Sequence, residues 1–162
     1  MSKNQSGKKF PIIVLSDDLQ SPDNVGTLFR TCESFGVQQI FLGAKSPSPK
    51  IKTIRRISRS TTETIPYLMI EDLCKQLKQL VTEGYRTVAI EITADAIPLQ
   101  NFNCNSSDKI VFVIGTERSG ISEELLSVCS EKVYIPMYGL NHSMNVINAL
   151  SIVLYHSTNQ MQ

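Results

Sequence analysis

Apolar residues recur along this chain in two alternating rhythms. Short β-branched or continuous apolar runs over 11–15, 39–42, 65–70, 86–92, 110–114 and 132–135 predict six strands. Between them the spacing turns helical. Val25, Leu28, Phe29 and Cys32 fall at i, i+3, i+4 and i+7 and predict a helix over 23–35 that stops at Gly36. Leu73, Leu77 and Leu80 mark a helix over 71–82 that ends before Gly84. Shorter helices are expected over 50–57 and 121–128, and a last one over 143–156; residues 93–108 read as a long polar connection. Strands alternating with helices predict an α/β fold, a mainly parallel six-stranded sheet flanked by helices. The purely apolar run 110–114 suits the centre of such a sheet.

With 162 residues the chain is expected to form one domain over 10–162, preceded by a frayed, disordered basic tail over 1–9. At 41% hydrophobic and 19% charged residues it is an ordinary soluble globular chain. The first nine residues lack an apolar core, so they are no signal peptide; the longest apolar run, 147–155, is broken by Asn148 and Ser151 and spans no membrane. Four scattered cysteines without a C-x-x-C pair point to reduced thiols in a cytoplasmic protein and away from a zinc site. The net charge of +1 announces no nucleic-acid partner, but its distribution changes the picture. Between residues 34 and 62 there is no Asp or Glu, while Lys45, Lys50, Lys52, Arg55, Arg56 and Arg59 all fall there. Such local density fits an RNA backbone, and fits a solvated surface about as well.

In a parallel sheet, ligands sit outside the carboxyl ends of the strands. Three loops fall there, at 16–30, 115–120 and 136–145, and each is unusually polar. In the first, Ser21-Pro22 is a cap followed by a proline in the first turn. Arg30 lies opposite the apolar stripe of its helix, with Asp23 and Gly26 on its own side, so Gly26 leaves room beside Arg30. The plainer reading is a solvated arginine and an incidental glycine. The second loop, Gly115-Thr116-Glu117-Arg118-Ser119-Gly120, has a glycine at each end and resembles neither a Walker loop nor a dinucleotide fingerprint. In the third, Pro136 stops a strand and Asn141, Ser143 and Asn145 open a helix, an arrangement that suits either a polar ligand or simple capping. That helix is apolar around most of its circumference, which implies burial on two sides and hence a subunit interface.

Together the loops carry more than each does alone. N-x-G-x-x-x-R (Asn24, Gly26, Arg30), then G-x-E-x-x-G-I (Gly115, Glu117, Gly120, Ile121), then I-P-M with S-M-N-V (Ile135 to Met137, Ser143 to Val146) resembles the TrmH (SpoU) branch of the SPOUT methyltransferases over about residues 12–156. The resemblance implies a C-terminal deep trefoil knot, S-adenosylmethionine as cofactor, a homodimer with active sites at its interface, and methylation of ribose 2′-hydroxyls in RNA, tRNA before rRNA. Position by position it makes Arg30 the catalytic arginine, with Asn24, Glu117, Ser143 and Asn145 completing the site. Cofactor contacts would come from Ile92, Gly115, Ile135, Met137, Leu140, Ser143 and Met144. Larger relatives carry an appended RNA-binding domain, so capture of RNA is expected to rest on Lys45, Lys50, Lys52, Arg55, Arg56 and Arg59. No metal or membrane is implied.

The family proposal makes the arginine a general base, yet a guanidinium stays protonated in essentially all proteins. The expectation here is a permanent cation that anchors a phosphate and stabilises charge on the 2′-oxygen, while Glu117 holds Arg30 or its loop. Two alternatives remain at this stage: an RNA-binding protein that keeps the fold without catalysis, and a flavodoxin- or Rossmann-type nucleotide module, which leaves residues 135–146 unexplained.

Overall fold

A computed structural model describes residues 7–140 and 143–162. Most of the tail and two members of the third loop, Asn141 and His142, therefore lie outside the described residues. The elements follow the order β1 (Phe10–Ser16), α1 (Pro22–Ser34), β2 (Val37–Gly43), α2 (Lys52–Ile57), β3 (Tyr67–Ile70), α3 (Leu73–Thr82), β4 (Arg86–Ile90), β5 (Ile97–Pro98), β6 (Ile110–Ile114), α4 (Glu123–Val128), β7 (Glu131–Tyr134) and α5 (Val146–Gln160).

The strands form one sheet in the order β3-β2-β1-β6-β4-β7-β5, with every neighbouring pair parallel. The six-strand expectation is thus one short. The extra strand, β5, is a two-residue piece of the 93–108 connection that pairs with β7 at the sheet edge. Two residues carry no periodicity, and a proline in a strand reads as a breaker unless the strand lies at an edge. The all-apolar β6 is the fourth of the seven strands and is buried throughout.

Alternation along the strands divides the interior into two layers. Ile12, Val14 and Phe112 face α1, α2 and α5, whose Val25, Leu28, Phe29, Ile54, Leu150 and Val153 complete one core. Ile13, Leu15, Val111 and Val113 face α3 and α4, where Leu73, Leu77, Leu80 and Leu125 close the second. At the amino ends of the strands, Arg86 ties β4 to β7 through a bidentate pair with Glu131, both contacts at 2.9 Å, and reaches Asp108 at 2.8 Å. The fork fixes the β4–β7 register from below, which leaves the carboxyl ends free for loops.

Helix ends follow the local sequence. Ser21 caps α1 by accepting from the Asn24 amide, with Pro22 in the first turn as expected. The last helix begins at Val146 rather than 143, because Asn145 is its cap: Asn145 Oδ1 accepts from the Ile147 amide at 2.8 Å. Among the described residues no helix is long and apolar enough to cross a membrane.

Candidate active site

The three polar loops leave the carboxyl ends of β1, β6 and β7. Their meeting point is the Glu117 carboxylate. Its Oε1 accepts from the Ser21 amide at 2.9 Å and from Asn24 Nδ2 at 2.7 Å, and its Oε2 accepts from the Gln20 amide at 3.1 Å. Asn24 then accepts, through Oδ1, a 3.0 Å bond from Asn145 Nδ2. A single chain of hydrogen bonds therefore joins residues 117, 24 and 145 from three distant parts of the sequence. Burial alone pushes the Glu117 carboxyl up, but the donors from Asn24, Gln20 and Ser21 outweigh it and hold the group below its ordinary value. Glu117 is thus committed to the first loop, and no bond to Arg30 is present among the described residues.

A cavity of about 230 Å³ opens beside this junction, at the carboxyl ends of β6, β4 and β7. Of the seven sequence-derived cofactor candidates, Ile92, Gly115, Ile135, Met137, Ser143 and Met144 line it. Leu140 does not, and it is 98% exposed. Glu117 also borders the cavity, and Asn145 lies on an adjoining depression shared with Ser143 and Met144. Sequence reasoning missed Glu91, which lines the cavity with both carboxylate oxygens engaged. A charge at the end of an apolar strand was the available signal, but the expected strand ran on to residue 92, whereas β4 stops at Ile90.

Arg30 is exposed on α1, and among the described residues its guanidinium makes no ion pair or hydrogen bond. Gly26 does not open space for a ligand beside it. A Cβ there would lie 2.8 Å from Ile57 Cβ, so the glycine is what allows α2 to pack against α1. That packing brings the basic helix next to the arginine helix. Within the basic group, Arg55 pairs with Glu63, and Lys45 lies 3.9 Å from Asp18 with its side chain in solvent. Lys50, Lys52, Arg56 and Arg59 are exposed and have no ion pair among the described residues. Gly115 is required by the loop's own closure: a Cβ would fall 2.0 Å from the Gly120 carbonyl carbon.

The cysteines take no part. Burial pushes the Cys32 thiol far up and the Cys129 thiol up to about 12, and Cys74 and Cys104 are also raised, chiefly by burial. No thiolate nucleophile is available near neutral pH.

An open parallel sheet with a crevice at its carboxyl edge defines an α/β ligand-binding domain. Within that class, the chain belongs to the SpoU rRNA Methylase family, whose model matches residues 11–155. It is similar to the 23S rRNA (guanosine-2'-O-)-methyltransferase RlmB of Neisseria meningitidis serogroup B, with 25% identity over 150 residues, 93% of this chain and 59% of the relative. It is 24% identical over 151 residues to the tRNA (guanosine(18)-2'-O)-methyltransferase of Aquifex aeolicus, covering 93% of this chain and 70% of that one. In fold it matches an AdoMet-bound rRNA methyltransferase from Sinorhizobium meliloti with a TM-score of 0.85 at 22% identity, over 96% of this chain and 59% of the other. The chain therefore spans little more than half the length of the Neisseria and Sinorhizobium proteins.

Proposed function

We propose that this chain is an S-adenosylmethionine-dependent RNA ribose 2′-O-methyltransferase, acting in the cytoplasm as a homodimer, on tRNA before rRNA. The observation that carries the reading is the Glu117–Asn24–Asn145 chain, which brings the three loops together at one cavity. Family membership supports it, as do relatives named as 2′-O-methyltransferases of rRNA and tRNA.

The cavity residues fit the cofactor in chemistry. Ile92, Ile135, Met137 and Met144 offer apolar faces, and the Glu117 carboxylate at the border would favour a cationic ligand. When bound, S-adenosylmethionine supplies an electrophilic methyl carbon. The remaining tasks fall to the chain. Asn145 spends its oxygen on the α5 cap and one amide hydrogen on Asn24, which leaves one hydrogen to orient a ribose oxygen. Ser143, exposed at the cavity mouth, offers a second contact. Arg30 remains a cation; it holds the neighbouring phosphate and stabilises the negative charge that develops on the 2′-oxygen as its proton leaves to solvent.

The dimer reading rests on α5, which keeps Ile152 41% and Tyr155 62% exposed on one face. The C-terminal part of the chain would be tied into the family's deep trefoil knot, an exception to the usual absence of knots. Mapping 2′-O-methylation in total RNA from cells with and without the protein tests the activity. A site that appears only with the protein is the expected result; identical maps, with no transfer of labelled methyl to tRNA or rRNA in vitro, would overturn it.

A further inference from the structure

Glu91 is absent from the three motifs, yet it occupies the one strand end that separates the second loop from the third. β4 lies between β6 and β7 in the sheet, so a side chain at its carboxyl end stands between the loops that follow those strands. Glu91 Oε1 accepts from the Ile92 amide at 3.1 Å, and Oε2 accepts from the Ile121 amide at 3.1 Å. The second bond crosses from the β4 end to the close of the Gly115–Gly120 loop. Gly120 makes it possible: its φ is +67°, and a Cβ there would lie 2.4 Å from Glu91 Oε2. Ile121, whose amide is held, has its side chain buried in the second core.

Among the described residues, the other hydrogen bonds of the loop run within itself and to residues 20–24, while the Ser122 amide just beyond it donates to Asp17 at 2.8 Å. The Thr116 amide donates to the Gly120 carbonyl at 2.9 Å, and the Thr116 and Ser119 hydroxyls meet at 2.7 Å. Its outer end carries Glu117, which holds Gln20, Ser21 and Asn24. Glu91 thus anchors the inner end of the loop whose outer end organises the first motif.

We propose that Glu91 is a positioning residue that fixes the Gly115–Ile121 loop against the end of β4, and so sets the shape of the methyl-donor cavity and the placement of Glu117. The inference rests on the methyltransferase reading for its ligand, but its contact is a property of the protein alone. Glu91→Gln preserves shape yet turns one acceptor into a donor that faces an amide, while Glu91→Asp keeps the charge and withdraws the reach. Two measurements test the role.

The first is hydrogen exchange of the free protein over residues 115–122. Both variants are expected to exchange faster there by about tenfold, the scale of one lost charge-assisted bond, while β1 and β6 stay protected. Unchanged exchange would overturn the proposal whatever the protein binds. The second is calorimetric binding of S-adenosylmethionine and of S-adenosylhomocysteine, which lacks the sulfonium charge. A positioning role predicts that Glu91→Gln weakens both by the same factor, about tenfold. Loss confined to the sulfonium compound would overturn positioning and make Glu91 a direct charge partner. A native protein that binds neither compound would sink the cofactor reading, while the exchange result would still decide the loop contact.

Discussion

Charged residues cluster differently on the two sides of the sheet, at the same edge. On the α1/α2 face stand Arg30, Lys50, Lys52, Arg56 and Arg59, all exposed. On the α3/α4 face, Asp17, Asp18, Glu71, Asp72 and Glu124 surround a separate depression beside Cys74. A net charge of +1 over the whole chain gives no sign of either cluster. The contrast extends to pairing. Three of the acidic groups are occupied with the fold: Asp17 accepts from the Ser122 amide at 2.8 Å, Asp18 from the Lys45 amide at 3.1 Å and Asp72 from the Lys75 amide at 2.8 Å. The cations, apart from Arg55 and Lys45, have no ion pair among the described residues. The acidic groups on one side help to build the structure, and the unpaired cations beside α1 and α2 are the ones we expect a polyanion to meet.

The sharpest way to break this comparison is to remove Arg30. Arg30→Ala is expected to lower methyl transfer by a factor of about 100 to 1,000, with cofactor binding by calorimetry unchanged. Arg30→Lys keeps the charge but loses the planar fork; raised pH is expected to restore little of its activity, and full recovery at high pH would argue for a titrating base. Next in size is the junction between the faces. Glu117→Ala leaves the Gln20 and Ser21 amides and the Asn24 side chain without their acceptor, and is expected to cost about 1–2 kcal/mol in denaturant melts together with most of the activity.

Charge exchange on the two faces tests the steering itself. Reversing Arg56 and Arg59 to glutamate is expected to weaken RNA binding about tenfold and to flatten its salt dependence, whereas Glu71→Lys on the opposite face changes binding less than about twofold. Equal effects from both faces, read in filter-binding titrations, would show that the contrast has no role in capture.

The smallest effect is acidic. The Glu117 carboxyl lies below its ordinary value in the folded protein, so its contribution to stability is complete above the unfolded value of about 4.3. That contribution is lost as pH falls through the lower, folded value. Melts between pH 6 and 3 are expected to show this loss in the native chain and to lack it in Glu117→Gln.

Much of this was legible in the chain. The strand β6, the apolar stripe of α1 and the Ser21-Pro22 start stand where hydrophobic spacing and capping chemistry put them, because each depends on residues within a turn or two. β5 was not legible, since a two-residue strand exists only by pairing with β7. Gly26 illustrates a different failure. Its spacing from Arg30 was read correctly, but its purpose belongs to Ile57, thirty-one positions on, where two helices cross.

The sequence by itself determined the alternation of strands and helices, the three polar loops at the carboxyl edge, and the basic run without a single carboxylate. These follow from periodicity and composition, which are local. Only the tertiary structure decided that Glu117 holds Asn24 and its loop rather than Arg30, that Asn145 both caps α5 and reaches Asn24, and that Glu91 stands between two loops of the cavity. The cap is local, two positions from Asn145, but the other partners are separated by between 30 and 121 positions along the chain. Hydrogen bonds at such separations are set by the order of strands in the sheet, which no local pattern encodes.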